Sequence, residues 1–166
     1  MKITPLAAFG YAIFRVEANV GDSRVVELGV DGLVTSGYYF YTKGRAEVEV
    51  SETGEKLEDR TTGWLNLEHP DARASTTDGN LLLTFPVETE WYCIPHKHNK
   101  KGLPTLTAVI INEGGSHEFE KGTNFYLCRG TLEINTKIFT GPCQIRVRSG
   151  DSTAEASKDC YGLIFT

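Results

Sequence analysis

His96-Lys97-His98 is the stretch of this chain whose residue types and spacing best suit chemistry. On a β-strand, residues i and i+2 share a face, so both imidazoles would point the same way, with Ile94 beside them. Two neighbouring imidazoles suit Fe, Zn, Ni or Cu, with carboxylates completing the shell. The same pair lies beside Lys97, Lys100 and Lys101, which reads equally as a solvated basic turn at a strand end. Two imidazoles are fewer ligands than a protein metal site ordinarily supplies. The expectation is therefore that no cofactor is held, and the alternative is one transition metal, Fe or Zn, on His96 and His98. A third arrangement places the pair on a symmetry axis, where copies from several chains complete the shell.

Other chemistry-bearing residues carry less. Cys93 lies three positions before His96, so the two would point to opposite faces of a strand, which is poor geometry for a thiolate–imidazole pair. A buried core thiol is the expectation there. Glu47, Glu49 and Glu133 fall on the polar sides of alternating strands and read as solvated. Gln144, Arg146 and Arg148 share a face opposite Ile145 and Val147, so Arg146 and Arg148 are candidate contacts for an anionic partner or a neighbouring subunit. His69, next to Pro70, is a turn residue. No phosphate-binding glycine loop, dinucleotide fingerprint or GxSxG occurs, which leaves nucleotide and serine-hydrolase chemistry without support.

Composition narrows the setting. The chain has 166 residues, 40% hydrophobic and 23% charged, with a net charge of −5. A chain of this length buries roughly 70% of its unfolded surface and needs neither metal nor disulfide to fold. The acidic balance argues against bulk nucleic-acid binding, which requires basic surface. No apolar run approaches a membrane helix. Met1–Phe14 has a signal-like start, but Pro5 and Gly10 interrupt it and no small-residue cleavage site follows. The four cysteines form no CxxC pair and sit in apolar runs. A reducing, cytoplasmic setting is expected, either free or in a viral particle assembled there.

The elements that must position these residues are strands. Short apolar runs at 8–12-residue spacing, punctuated by Gly and Asn, read as a sandwich or barrel. Arg45–Ser51 alternates, with Ala46, Val48 and Val50 on one side and Glu47 and Glu49 on the other. The chain also echoes itself. Tyr39–Val48 (YFYTKGRAEV) aligns without a gap on Phe125–Ile134 (FYLCRGTLEI), bringing Gly44 onto Gly130 and Glu47 onto Glu133. Each copy leads to a Thr-Gly step and then to an acidic residue before a closing apolar strand: Asp78 before Leu81–Phe85, and Asp159 before Gly162–Phe165. The reading is two pseudo-repeated halves, 1–88 and 89–166, packed as one unit. Tyr39, Phe40, Tyr41, Phe125 and Tyr126 run consecutively in their strands, so aromatic groups face both sides. Such strands are either buried between layers or carry an interface.

Residues 91–166 resemble the cupin family, a small double-stranded β-helix or jelly roll. Phe125–Gly130 is similar to its strand ending in glycine, Gly141-Pro142 to the turn before its second motif, and His96-Lys97-His98 to the HxH that opens its first. The earlier echo resembles the degenerate repeat of two-domain cupins. The resemblance implies an all-β, cupin-like jelly-roll sandwich or barrel. For a metal-dependent cupin it also implies an acidic residue four or five positions after the HxH and a third histidine in the second motif. Here Gly102 and Leu103 stand in the first place, and no histidine lies between Gly141 and Thr153. His117, Glu118 and Glu120 are the available substitutes. An HxH around iron on a symmetry axis resembles phage tail fibres and spikes.

Function read at this level is a non-catalytic interaction or structural module. It assembles with itself or a protein partner, as a component of a viral (phage) particle, with no nucleic acid or membrane. The alternatives are a metal-dependent cupin enzyme of dioxygenase or isomerase type, using His96 and His98, and a metal-free cupin that binds a small organic ligand.

Overall fold

The structure is a computed structural model, which describes residues 1–27, 37–57, 63–66, 80–95, 98–148, 150 and 152–166. Among these residues the architecture is all β, without an α-helix, and it divides into two compact units, Met1–Leu103 and Pro104–Thr166. The first carries β1 (Lys2–Ala8), β2 (Tyr11–Ala18), β3 (Ser23–Glu27), β4 (Gly37–Lys43), β5 (Glu47–Val50), β6 (Lys56–Leu57), β7 (Gly63–Asn66), β8 (Asn80–Thr84) and β9 (Thr89–Pro95). The second carries β10 (Leu106–Ile111), β11 (Ser116–Phe119), β12 (Asn124–Arg129), β13 (Thr131–Ile134), β14 (Lys137–Thr140), β15 (Cys143–Arg146), β16 (Ser152–Ala156) and β17 (Cys160–Phe165).

Each unit is a pair of antiparallel sheets. In the first the orders are β1-β2-β9-β4-β7 and β3-β8-β5-β6; in the second they are β10-β17-β12-β15 and β11-β16-β13-β14. Apart from β1, the two units have the same strand order, β2 corresponding to β10 and so on to β9 and β17. This is the double-sheet jelly roll expected from many short strands. Alternation supplies each core. In β13, Leu132 and Ile134 are buried and Glu133 is exposed; in β16, Ser152, Ala154 and Ala156 are buried while Thr153 and Glu155 face water. Val16, Tyr41, Val48, Leu83, Trp91 and Cys93 join the two sheets of the first unit. Phe119, Phe125, Leu127, Leu132, Ile134 and Ile145 join those of the second.

Both units turn on the same device. Gly44 (φ +71°) and Gly130 (φ +106°) follow β4 and β12, where the left-handed backbone favours glycine. A Cβ on Gly44 would run into the Glu88 carbonyl and Thr89, and one on Gly130 into the Asp159 carbonyl and Cys160. The residue beneath is polar in each case. Thr89 Oγ1 lies 2.9 Å from the Arg45 carbonyl and 2.8 Å from that of Val87. Cys160 Sγ lies 3.3 Å from the Thr131 carbonyl and 3.1 Å from that of Lys158. A register shift falls just before each glycine, between Tyr41 and Lys43 and between Leu127 and Arg129.

Two expectations are corrected here. The closing strand of the first unit is β9, not Leu81–Phe85. Glu88 before β9 therefore matches Asp159 before β17, and Asn80–Thr84 matches β16. Because β9 lies between β2 and β4, the division falls after Leu103 and not at residue 88. The start of the chain is also a strand: β1 pairs with β2 along its length, and Pro5 is accommodated because β1 is an edge. Residues 72–75, whose sequence also reads as a short strand, lie outside the described residues.

Candidate functional site

The basic turn is built on a buried amide. Asn99 is 7% exposed; its Oδ1 accepts from the Ala12 N–H (2.9 Å), and its Nδ2 donates to the carbonyls of Ala12 (3.2 Å) and Pro95 (2.9 Å). These bonds tie the chain after β9 to the start of β2. His98 follows from that anchor. It is exposed, outside any strand, with its ring centroid 5.0 Å from that of Phe14 in an edge contact at 64°. His96 lies outside the described residues. Lys100 and Lys101 are exposed beside His98. Among the described residues no group of three or more His, Cys, Asp or Glu is gathered as a metal would require.

The proposed substitutes are in the second unit. His117 is half-buried on β11, its ring 4.7 Å from that of Phe119, while Glu118 and Glu120 are exposed. Phe119 in turn lies 4.8 Å from Phe125, so this row runs into an apolar core.

Four of the five aromatic residues expected at an interface are buried. Phe40 and Phe125 are 0% exposed, Tyr126 3% and Tyr41 5%. Tyr41 and Phe125 belong to the cores of their units. Phe40 and Tyr126 occupy the opposite faces of the same sheets, and those faces are buried too, with Ile13, Tyr92 and Ile94 in one and Cys128, Leu163 and Phe165 in the other. Both strands are central in their sheets, β4 between β9 and β7 and β12 between β17 and β15. Tyr39 takes part in the ladder, opposite Cys93. Arg146 and Arg148 are exposed and alternate with buried Ile145 and Val147, the arrangement expected for them. Glu47 and Glu133 are exposed, and Cys93 is a fully buried thiol.

Two polar features were missed by sequence reasoning. The first is a row on the outer face of the β2–β9–β4 sheet. Arg15 Nε lies 3.8 Å from Glu17 Oε2, and Thr42 Oγ1 donates to Glu90 Oε1 at 2.6 Å. Burial works against the Arg15 charge, but Tyr92, Glu17 and Glu90 together outweigh it and hold its pKa above the ordinary value. The second is Trp91, buried in the first core with its ring stacked on Phe85 (5.2 Å, 20°) and its indole N–H without a hydrogen-bond partner among the described residues. Correct alignment of the two halves would have shown it, because Trp91 then falls on Gly162. Burial raises the thiol pKa of both Cys143 and Cys160, so neither is an activated nucleophile.

No protein-family model matches this sequence, and no curated protein matches it. Solved structures do. YhaK from Escherichia coli is similar over 99% of this chain and 92% of its own, at 12% identity with a TM-score of 0.51. Oxalate decarboxylase from Lactobacillus farciminis, as its formate complex, is similar over 93% of this chain and 76% of its own, at 10% identity and a TM-score of 0.49. A cupin 2 conserved barrel domain protein from Leptotrichia buccalis covers 99% and 89%, at 7% identity and a TM-score of 0.41. At 12% identity the likeness to YhaK is one of fold alone, and it agrees with the all-β, cupin-like jelly roll that the strand orders give.

Proposed function

We propose that this chain is a non-catalytic module that acts by binding, to further copies of itself or to a protein partner, on a cupin-like scaffold. The observation that carries this reading is the inside of the second unit. Sites for small substrates need a concave interior with a few convergent polar groups. Phe119, Phe125, Leu127 and Leu132 instead fill that interior, each 1% exposed or less. Phe125 packs so closely over Gly162 that a Cβ there would overlap its ring. His117, the single histidine of the unit's sequence, packs on Phe119 at the edge strand and, among the described residues, gathers no triad with other donors.

Surface is then what the unit offers. Arg146 and Arg148 stand on an exposed row, and Ile138 is 71% exposed on the edge strand β14. A component of a viral particle is the narrow form of the proposal, and it predicts that the chain co-purifies with assembled particles. The broader form is tested by measuring mass in solution over a wide concentration range. A mass above that of one chain, or a stable complex with a partner, supports the module. A strict monomer that turns over a small substrate overturns it.

A further inference from the structure

Every sheet of the two units ends in edge strands, whose outward N–H and C=O groups invite a further strand unless charge, proline or shortness protects them. Most of the described edges carry such protection: Lys2 in β1, Arg24 in β3, Lys56 in β6, Glu118 in β11, Lys137 in β14 and Arg146 in β15. The edge strand β7 is uncharged, but it has only 4 residues and opens on a glycine. The edge strand β10 differs from all of them. Its 6 residues, Leu106–Ile111 (LTAVII), hold no charge, no proline and no glycine, and most are types that favour extended backbone. Ile110 is 48% exposed on it, while Val109 and Ile111 on either side are buried in the core of the second unit. The matching strand of the first unit is β2, and there the outer edge is covered by antiparallel β1, from Lys2 opposite Glu17 to Ala8 opposite Tyr11. Among the described residues no strand pairs with the outer edge of β10.

We propose that β10 pairs antiparallel with β10 of a second copy of this chain, about a twofold axis at Ala108, so that the sheets of the two copies run on as one. The proposal rests on the assembly reading and names its surface and its partner. A strand paired with its own copy brings like residues together, so any charge near the axis would meet itself. The long edge without a charge is β10. Side chains opposite one another in an antiparallel pair share a face, which puts the axis on a residue rather than between two. With the axis at Ala108, Leu106 meets Ile110 of the second copy, and Thr107 meets Val109 of the second copy. Leu106, Ala108 and Ile110 then form an unbroken apolar row with their counterparts, and the exposed Ile110 is covered. The smallest side chain of the strand falls on the axis, where identical residues oppose each other most closely.

The test is the mass of the full chain in solution, measured by sedimentation from about 1 μM to about 1 mM. The unaltered chain is expected to dimerise within that range. Ile110→Lys, at an exposed position, should leave the circular dichroism unchanged and raise the dimer Kd at least about tenfold, because it puts an unpaired ammonium into the apolar row. Ile138→Lys, on the exposed edge β14, is the control and should leave the dimer intact. Ala108→Glu and Ala108→Lys each set like charges face to face and should each dissociate the dimer. Mixed in equal amounts they should recover it, as pairing about Ala108 requires. Should the Ala108 variants fail to fold, Ile110→Lys against Ile138→Lys decides alone. The proposal is overturned if the unaltered chain stays monomeric throughout, if Ile110→Lys dimerises as well as the unaltered chain, or if folded Ala108 variants do not recover a dimer on mixing. A dimer indifferent to Ile110→Lys leaves the assembly reading standing on another surface, whereas a monomer that turns over a small substrate overturns both.

Discussion

Trp91 and Gly162 occupy the same place in the two units: Val16 and Tyr41 flank the tryptophan in its sheet as Val109 and Leu127 flank the glycine. The exchange does not stand alone. Ala46, two residues after Gly44, answers to Leu132, two after Gly130. Ala18, opposite Thr89, answers to Ile111, opposite Cys160. Phe85 answers to Ala156, one step beyond the matched pairs Val48–Leu83 and Ile134–Ala154 in register. Bulk has moved from one set of strands to another while both interiors stay filled. Cores tolerate such redistribution when total volume is kept. What does not move is the turn: the left-handed glycine, the register shift before it and the carbonyl-bonded residue beneath it recur in both units. The comparison teaches that the fold rests on this local device, and that what lines the interior was free to diverge.

The largest expected effect is at the turn. Gly130→Ala and Gly44→Ala each combine a strained φ with a clash against backbone, and each should cost roughly 3 kcal/mol or more in chemical denaturation. Losses of similar size would sharpen the equivalence, and a Gly44→Ala variant of ordinary stability would break it. Gly162→Ala drives a methyl into the Phe125 ring and should cost about 1–3 kcal/mol, as overpacking does. Adding Phe125→Leu should recover part of that loss, so the double-mutant cycle is non-additive. Additivity would mean the ring does not depend on the glycine.

Smaller effects follow. Asn99→Ala leaves the Ala12 N–H without its acceptor and should cost about 1–3 kcal/mol. Its companion readout is faster backbone hydrogen exchange at the start of β2. Thr89→Cys places in the first unit the residue that the second uses at Cys160, and should cost less than about 1 kcal/mol. Thr89→Val, which removes the bonds to Arg45 and Val87, should cost more than Thr89→Cys.

The smallest effect is expected from acid. The Asn19 N–H, and after it the N-terminal ammonium 3.4 Å away, hold the Asp22 carboxyl below its ordinary pKa. A group depressed in the folded state contributes stability above its unfolded pKa of about 3.9 and loses it as pH falls through the folded value. Asp22→Asn should therefore remove a small contribution at neutral pH and flatten a small part of the stability–pH curve below about pH 4.

Much of the fold was legible because alternation is a local signal. Leu132–Glu133–Ile134 and Ile145–Arg146–Val147 announce which side is wet, and the Gly44/Gly130 echo announces a repeat. The strand correspondence was not legible. Leu81–Phe85 is as apolar as a closing strand, whereas β9 begins Thr89-Glu90 and is buried on both faces, and nothing local says that it pairs with Phe14 and Tyr39. The aromatic pairs were visible, but the choice between interior and interface depends on what covers both faces of a sheet. The candidate site was less legible still. His98 was found by spacing, yet its position depends on Asn99 reaching across 87 residues to Ala12. Trp91 mattered only once it could be set against Gly162.

The most direct test of a binding rather than catalytic role is the metal content of protein purified without a histidine tag, compared with a His96→Ala/His98→Ala variant. The account predicts no stoichiometric transition metal in either, with the same mass in solution. Close to one Fe or Zn per chain, lost in the variant, would contradict it and return the chain to metal-dependent chemistry.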